Sequence, residues 1–478
     1  MVRSEYDRDH ETLASGPRTA PGQSERFAHA RRRLSSPMFT LTLLSLIGAC
    51  VGQPLGPDEG QQSENLNVSP RTVWLSVGDS QTVVAWLTGP EADGDTITYS
   101  WVSSDPGVVE VGADGVLHAK RNGSAKIDVM ADKPGKRVGH RKNAVTVTVT
   151  DTQQEASIAR ILGVPSLVDR WNDLPFTHTY DSVFEQWGET HWGRSAGQWE
   201  YTYYDRALAW YAAWWRTGDA KYLERGHTDV KAYRDDYVLP NDGHATPKWV
   251  FTEGLAIHYL LTGDEASKTA IDLMARWMVQ AGWLDNMMTT QYQDGRIQGR
   301  TVMAQLVALE VTGNALFRER LDTGVDNLLE WYNQAGGDGS WDMKSYCDGQ
   351  ANFQVAHAIL DVLQRYYDLV NPDPRIPPVV KNSLDRMWLF WNPGAGFNYI
   401  GDPAEDPCPG VGSTAASKDL NLLIVPAFAW YYEYSGDATY LNRADEIWDT
   451  GLVTTFWSGS KQFNQSFMRS WRYPHLTN

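Results

Sequence analysis

Ionisable and aromatic side chains gather in five stretches of this 478-residue chain. Gly188 to Tyr203 and the arm after it carry His191, Trp192, Trp199, Tyr203 and Asp205. Pro240 to Thr252 holds His244 and Trp249, with Glu253 next. Asp285 to Gln298 holds Tyr292 and Arg296, with Arg300 close behind. Gly336 to Gln350 holds Trp341, Asp342, Tyr346 and Asp348, with Asn352 just beyond. Asn392 to Ser417 adds Asn398, Tyr399 and Asp402.

Two chemistries fit these residues. Hydrolysis of a glycosidic bond needs two carboxyl groups across it, one protonating the leaving oxygen and one activating water or attacking. Asp205, Glu253, Asp342 and Asp348 are the candidates. β-Elimination needs a base beside a uronate carboxylate and cations to neutralise that carboxylate. Tyr203, His191 and His244 are candidate bases or acids, and Arg296 and Arg300 share a face if their stretch is helical. Trp192, Trp199, Trp249, Tyr292, Trp341 and Tyr346 offer ring faces for sugars, and Asn352 an amide for hydroxyls. Each also has an ordinary reading. Asp205 can pair with Arg206, Glu253 can favour a helix dipole, the histidines and arginines can be surface groups, and tryptophan is often core.

These stretches lead into apolar arms. The clearest is Tyr204 to Arg216, apolar almost all round and so predicted to be a buried helix. It ends at Thr217-Gly218-Asp219, a helix stop and the cap of an amphipathic outer helix. The punctuation returns at Thr262-Gly263-Asp264, Thr312-Gly313-Asn314 and Ser435-Gly436-Asp437. Uneven intervals of about 45 to 65 residues favour hairpins closed into a ring over an open solenoid. The tight turns then fall on one end and the five long stretches on the other, which is the predicted site. The tail, from Lys461 to Leu476, is expected to pack across the ring.

On this rhythm, and on Glu253-Gly254-Leu255 leading to Leu261-Thr262-Gly263-Asp264, the chain resembles the six-hairpin glycosidase-like and α/α-toroid polysaccharide lyase families over roughly residues 180 to 478. The resemblance implies a carbohydrate-active toroid and assigns no residue a role.

Arg31-Arg32-Arg33 precede a short apolar run ending Ile47-Gly48-Ala49-Cys50, which resembles a bacterial lipobox with Cys50 as the lipidated residue. Residues 1–50 are thus a leader, and 51–66 a Gly, Pro and Gln-rich tether. Residues 67–151 alternate with a period of two between Gly-Asp, Asp-Gly and Asn-Gly turns, a β-sandwich pattern. The run SVGDSQTV to VTVTVT resembles the bacterial Ig-like domain of group 2, a family of spacers and adhesion modules. Residues 152–180 are a linker, with a short helix over Asp181 to Glu189, and 181–478 the toroid. The expected fold class is multidomain, an all-β Ig-like sandwich followed by an all-α toroid of helical hairpins.

Export to an oxidising compartment would let Cys347 and Cys408 pair. A net charge of −17 disfavours nucleic acid as a partner, although a local basic cleft can override it. No metal-ligand spacing or phosphate loop is evident, so no cofactor is expected, with calcium on loop carboxylates left open. The sequence leans to an exported, lipid-anchored glycoside hydrolase acting on a polysaccharide or oligosaccharide. A polysaccharide lyase and a non-catalytic glycan-binding protein are the alternatives.

Overall fold

The computed structural model describes residues 66–88, 96–121, 123–150, 153–163, 177–287, 294–343, 346, 349–401 and 415–477. Cys50, Tyr292, Cys347, Asp348, Asp402 and Cys408 lie outside these residues, as do the leader and nearly all of the tether.

The alternating segment folds as strands β1 Leu66–Ser69, β2 Thr72–Ser76, β3 Ser80–Thr82, β4 Val84–Leu87, β5 Thr98–Ser103, β6 Val109–Val111, β7 Val116–Ala119, β8 Gly123–Lys133 and β9 Lys136–Thr150. One sheet has the order β2-β9-β8-β5, with β2 parallel to β9, and a second runs β3-β7-β6. Their inward residues, among them Val73, Leu117, Ile127 and Val147, form a core of their own.

Within the linker, residues Gln153–Leu162 form helix α1. It packs on β2 and β9 and also on inner helices of the next domain. Helix α2, His178–Ser195, is 18 residues long and takes in what the sequence suggested was the start of a loop.

The hairpins follow as α3 Arg206–Thr217 with α4 Ala220–Tyr233, α5 Glu253–Thr262 with α6 Glu265–Gln280, and α7 Gly295–Thr312 with α8 Ala315–Gln334. Next comes α9, which starts at Asn352–Gln354, passes through a π segment Val355–Leu360 and continues as Asp361–Leu369. It pairs with α10, Ile376–Trp388, and α11 Asn421–Ser435 pairs with α12 Ala438–Thr454. The repeated turns behave as their residues require. Gly218, Gly263, Gly313 and Gly436 each cap a helix in the left-handed region. Asp219, Asp264, Asn314 and Asp437 each accept a bond from a free N–H of the next helix.

The ring closes in a way the sequence did not suggest. The inner helices touch in the order α3, α5, α7, α9, α11, and the tail completes the circuit. Its helices α13, Ser460–Phe467, and α14, Arg472–Thr477, pack on α11, and α13 also reaches α2 and α3. Phe463, Phe467 and Trp471 are buried, so the tail is part of the wall rather than a strap across it.

The sandwich is docked on the tight-turn end. Arg141 and Arg71 donate to the Tyr434 and Glu433 carbonyls at the end of α11, and the Arg71 guanidinium lies 5.0 Å from the Tyr434 ring centre. Cations are favoured at a helix C-terminus, where carbonyls lack partners. Arg141→Ala should therefore destabilise the whole protein by about 1–3 kcal/mol. Calorimetry that shows an unchanged midpoint would mean the docking contact is energetically idle.

Candidate functional site

At the long-loop end, α3 begins under strain. Tyr204 and Asp205 are consecutive non-glycine residues in the left-handed region, with φ of 65° and 47°. Such residues persist only where neighbours hold them. The Asp205 carboxylate does so, accepting from Leu208 N at 3.2 Å and from Gly254 N, on the next inner helix, at 2.9 Å. Residue 254 must be glycine for this approach, since a Cβ there would lie 2.5 Å from Asp205 Oδ1. The turn thus fixes Tyr203 at the rim.

Tyr203 is half-buried among cations. Arg296 Nη1 is 3.5 Å from its hydroxyl, and the Arg300 guanidinium is 5.7 Å from its ring centre. Both arginines lie on α7, one turn apart as anticipated, and both are nearly buried. Burial alone would raise the phenol, but Arg296, Arg300 and the more distant Lys461 outweigh it and hold its pKa below the ordinary tyrosine value. Arg296 is steadied by Asp294, whose carboxylate lies 3.4 Å away, and Arg300 by the Lys248 carbonyl.

An aromatic wall flanks the phenol. The Trp249 ring centre lies 4.8 Å from that of Tyr203 and 5.2 Å from that of Trp199, which stacks on Tyr237 at 4.3 Å. On another side, Gln354 donates to the Tyr346 hydroxyl, which sits 3.3 Å from that of Tyr399. The structure therefore brings Tyr203, Arg296, Arg300, Trp199 and Trp249 together, with Tyr346 linked through Gln354, whose Oε1 accepts from Arg296 N at 3.2 Å.

The other candidates stand elsewhere or are otherwise engaged. Glu253 adjoins the Asp205 site, but Arg365 and Arg469 bind its carboxylate at 2.6 to 2.8 Å, using both oxygens. His191 is buried, with Nε2 2.8 Å from the Trp457 carbonyl, and burial lowers its pKa. His244 is exposed and stacks on Trp277 at 4.0 Å. Trp341 is fully buried with its indole N–H on Ser383, and so offers no face to a ligand. Trp192 is half-buried under the Arg225 guanidinium. Asn352 is fully buried and spends its amide on Gln350 and the Asn398 carbonyl. Asp342 is exposed, on the segment whose carbonyl binds Trp331. Arg206 pairs with Asp229 rather than with Asp205.

The sequence reading missed His357 and Arg469. His357 sits in the π segment of α9, 4 % exposed, with its ring centre 5.7 Å from that of Tyr204. A single histidine inside the apolar arm FQVAHAIL was the available signal. Arg469 gave none, because the tail was not expected in the wall. Among the described residues no group of three or more His, Cys, Asp or Glu side chains is placed to hold a metal ion, and no helix is long and apolar enough to cross a membrane.

Asp205 carries a pH prediction. Burial first, and Glu253 second, push its carboxyl up to about 7. The folded state then holds this proton more tightly than the unfolded chain, whose aspartates titrate near ~4. The resulting stability is complete below about pH 4 and is lost as pH rises through the folded value. Urea midpoints of wild type and Asp205→Asn should therefore diverge between about pH 5 and about pH 8, with wild type falling further. Parallel curves would show that Asp205 is ionised throughout.

Residues 63–140 match the model of the bacterial Ig-like domain (group 2). No curated protein matches the chain. Among solved structures, the chain is similar to a glycosyl hydrolase family 88 protein from Bacteroides vulgatus, at 12% identity and a TM-score of 0.44, covering 61% of this chain and 98% of that one. It is similar to a D-mannose isomerase at 13% identity and a TM-score of 0.43, covering 58% and 86%. It is also similar to a polysaccharide lyase at 12% identity and a TM-score of 0.43, covering 61% and 96%.

Proposed function

We propose that the Tyr203 cluster at the long-loop end of the ring cleaves an acidic polysaccharide by β-elimination. The observation that carries this reading is the Tyr203 phenol between Arg296 and Arg300. In a chain of net charge −17, cations gathered around a phenol suit a carboxylate-bearing ligand. The arginines would bind the uronate carboxylate and stabilise the charge that builds on it. Tyr203, as phenolate, would take the adjacent ring proton. The electron pair of that C–H bond forms the C=C bond, the bond to the glycosidic oxygen breaks, and the proton passes from Tyr203 to the leaving oxygen. Trp249 and Trp199 offer faces for neighbouring sugar rings. This replaces the lean towards a carboxylate pair, since Glu253 is held by two guanidinium groups.

One observation favours hydrolysis as the second reading. Asp205, with its pKa pushed up to about 7, would carry a proton to donate at neutral pH. The two separate on products. Incubation with uronate polymers and neutral glycans should give new reducing ends together with ultraviolet absorbance from unsaturated uronates. Reducing ends without absorbance would overturn elimination in favour of hydrolysis. Retention of glycan without cleavage would make the protein a binding module.

We also propose export and lipid anchoring through Cys50, on the strength of the basic cluster, apolar run and small residues before it. Cys50→Ser should abolish fatty-acid labelling of the expressed protein.

A further inference from the structure

A small cavity shares Arg300 with the Tyr203 cluster, and its walls also include Thr252, Glu253, Met303, His357 and Arg469. Three of these residues carry a buried nitrogen without a hydrogen-bond partner: Arg300 Nη2, His357 Nε2 and Arg469 Nε. The residues are 8%, 4% and 9% exposed. A buried donor without an acceptor is costly, and native proteins rarely leave several around one space. Glu253 already accepts three bonds, two on Oε1 and one on Oε2, from Arg365 and Arg469, so it has too few acceptor sites left to serve all three nitrogens.

The charges point the same way. Arg365, Arg469 and Arg472 converge on Glu253 and Asp361, and Arg300 lines the cavity with Arg469 and Glu253. Three guanidinium groups thus share two carboxylates, and Arg300, held by the Lys248 carbonyl, adds a fourth positive charge at the cavity wall. Asp205, the next carboxyl group, is pushed towards its protonated form by burial.

We infer that this cavity binds one monoanion, a halide or a carboxylate, between Arg300, His357 and Arg469. Burial and the guanidiniums of Arg300 and Arg469 keep His357 neutral, so its ring can donate as the Nε2–H tautomer. Arg300 joins the cavity to the Tyr203 cluster, since its guanidinium also covers the rings of Phe251, Tyr204 and Tyr203, at 4.6, 5.1 and 5.7 Å. The anion has two possible sources, a free ion from solution or the carboxylate of a bound sugar acid. Only the second rests on the uronate reading.

The test uses the whole wild-type protein and sodium bromide. Crystals grown with bromide should show an anomalous peak in the cavity, and the thermal midpoint should rise saturably with bromide at fixed ionic strength. Sodium sulfate balances the ionic strength. As the salt more strongly excluded from protein surfaces, sulfate would by itself favour the opposite trend. His357→Leu should weaken bromide binding at least tenfold. Glucuronate that displaces the peak identifies the sugar carboxylate as a ligand, and a peak that survives glucuronate identifies a free-ion site. Either supports the inference whether or not any polymer is cleaved. No peak and no saturable rise would overturn it and leave water as the occupant.

Discussion

Tyr203→Phe is expected to lower turnover of a uronate polymer by about 10²- to 10⁴-fold, the usual range for a lost general acid or base. The fold should hardly notice. The hydroxyl's contact with Arg296 is long, at 3.5 Å, while the ring contacts with Trp249, Tyr204 and Phe251 survive in phenylalanine. Arg296 and Arg300 remain to bind the carboxylate, so the loss should fall on kcat with KM nearly unchanged. The pH profile adds a second mark. Because the two guanidiniums depress the phenol, wild-type activity should rise with pH through a value below that of free tyrosine. The phenylalanine variant should lose that limb along with the rate. If Tyr203→Phe keeps the wild-type rate, the base lies elsewhere and Asp205 becomes the first residue to replace. If kcat and KM both collapse with the thermal midpoint, Tyr203 holds the rim together rather than moving a proton.

Much of the architecture was legible because it rests on local chemistry. The Gly-Asp and Gly-Asn turns encode a left-handed cap and a side-chain acceptor within two residues, and all four formed as expected. An apolar arm has no choice but to be inner. Ring closure was not legible in this way. The tail is short and rich in polar residues, yet Asn464, Gln465 and Ser466 are buried in the wall. Asn464 donates to the carbonyls of Tyr201 and Tyr203, and Gln465 to that of Asp419, partners more than forty residues away in each case. Nothing local in the tail announces them.

The site divides along the same line. Arg296 and Arg300 follow from helical spacing once α7 is recognised, and placing Tyr203 with them needed only the rule that long loops share one end. Which acid is free and which is engaged could not be read. Glu253 looked like a catalytic carboxylate because an acid at the head of an apolar arm must have a purpose. Its partners come from residues 365 and 469, so its role is set by the closure the sequence concealed. Trp341 misled for a related reason. It lies in a polar stretch, but the turn folds it inward onto Ser383.

Glu253→Ala is expected to destabilise the protein by about 3–5 kcal/mol, the cost of leaving buried charge without its partner. The side chains of Glu253 and Arg365 are 5% and 3% exposed, so water cannot take over the bonds. The damage should spread, because these groups tie separate elements. Glu253 heads α5, Arg365 and Asp361 stand on α9, and Arg469 and Arg472 come from the tail. Arg365 also donates to the carbonyls of Arg160 and Ile161 in α1. Against a typical total stability of about 5–15 kcal/mol, the loss would leave the ring close to opening. Urea unfolding should show a much lower midpoint, and a reduced slope would show that closure has already failed in the native state. Glu253→Gln separates structure from catalysis. A catalytic Glu253 predicts a normally stable glutamine variant with little activity. The structural role predicts early unfolding, with residual activity in proportion to the folded fraction. The network also has an apolar exit. Replacing Glu253, Arg365 and Arg469 together by leucine or methionine removes charge and countercharge at once, a change that is often neutral or stabilising. If that triple variant folds while Glu253→Ala does not, the cost lies in stranded charge rather than in a lost bond.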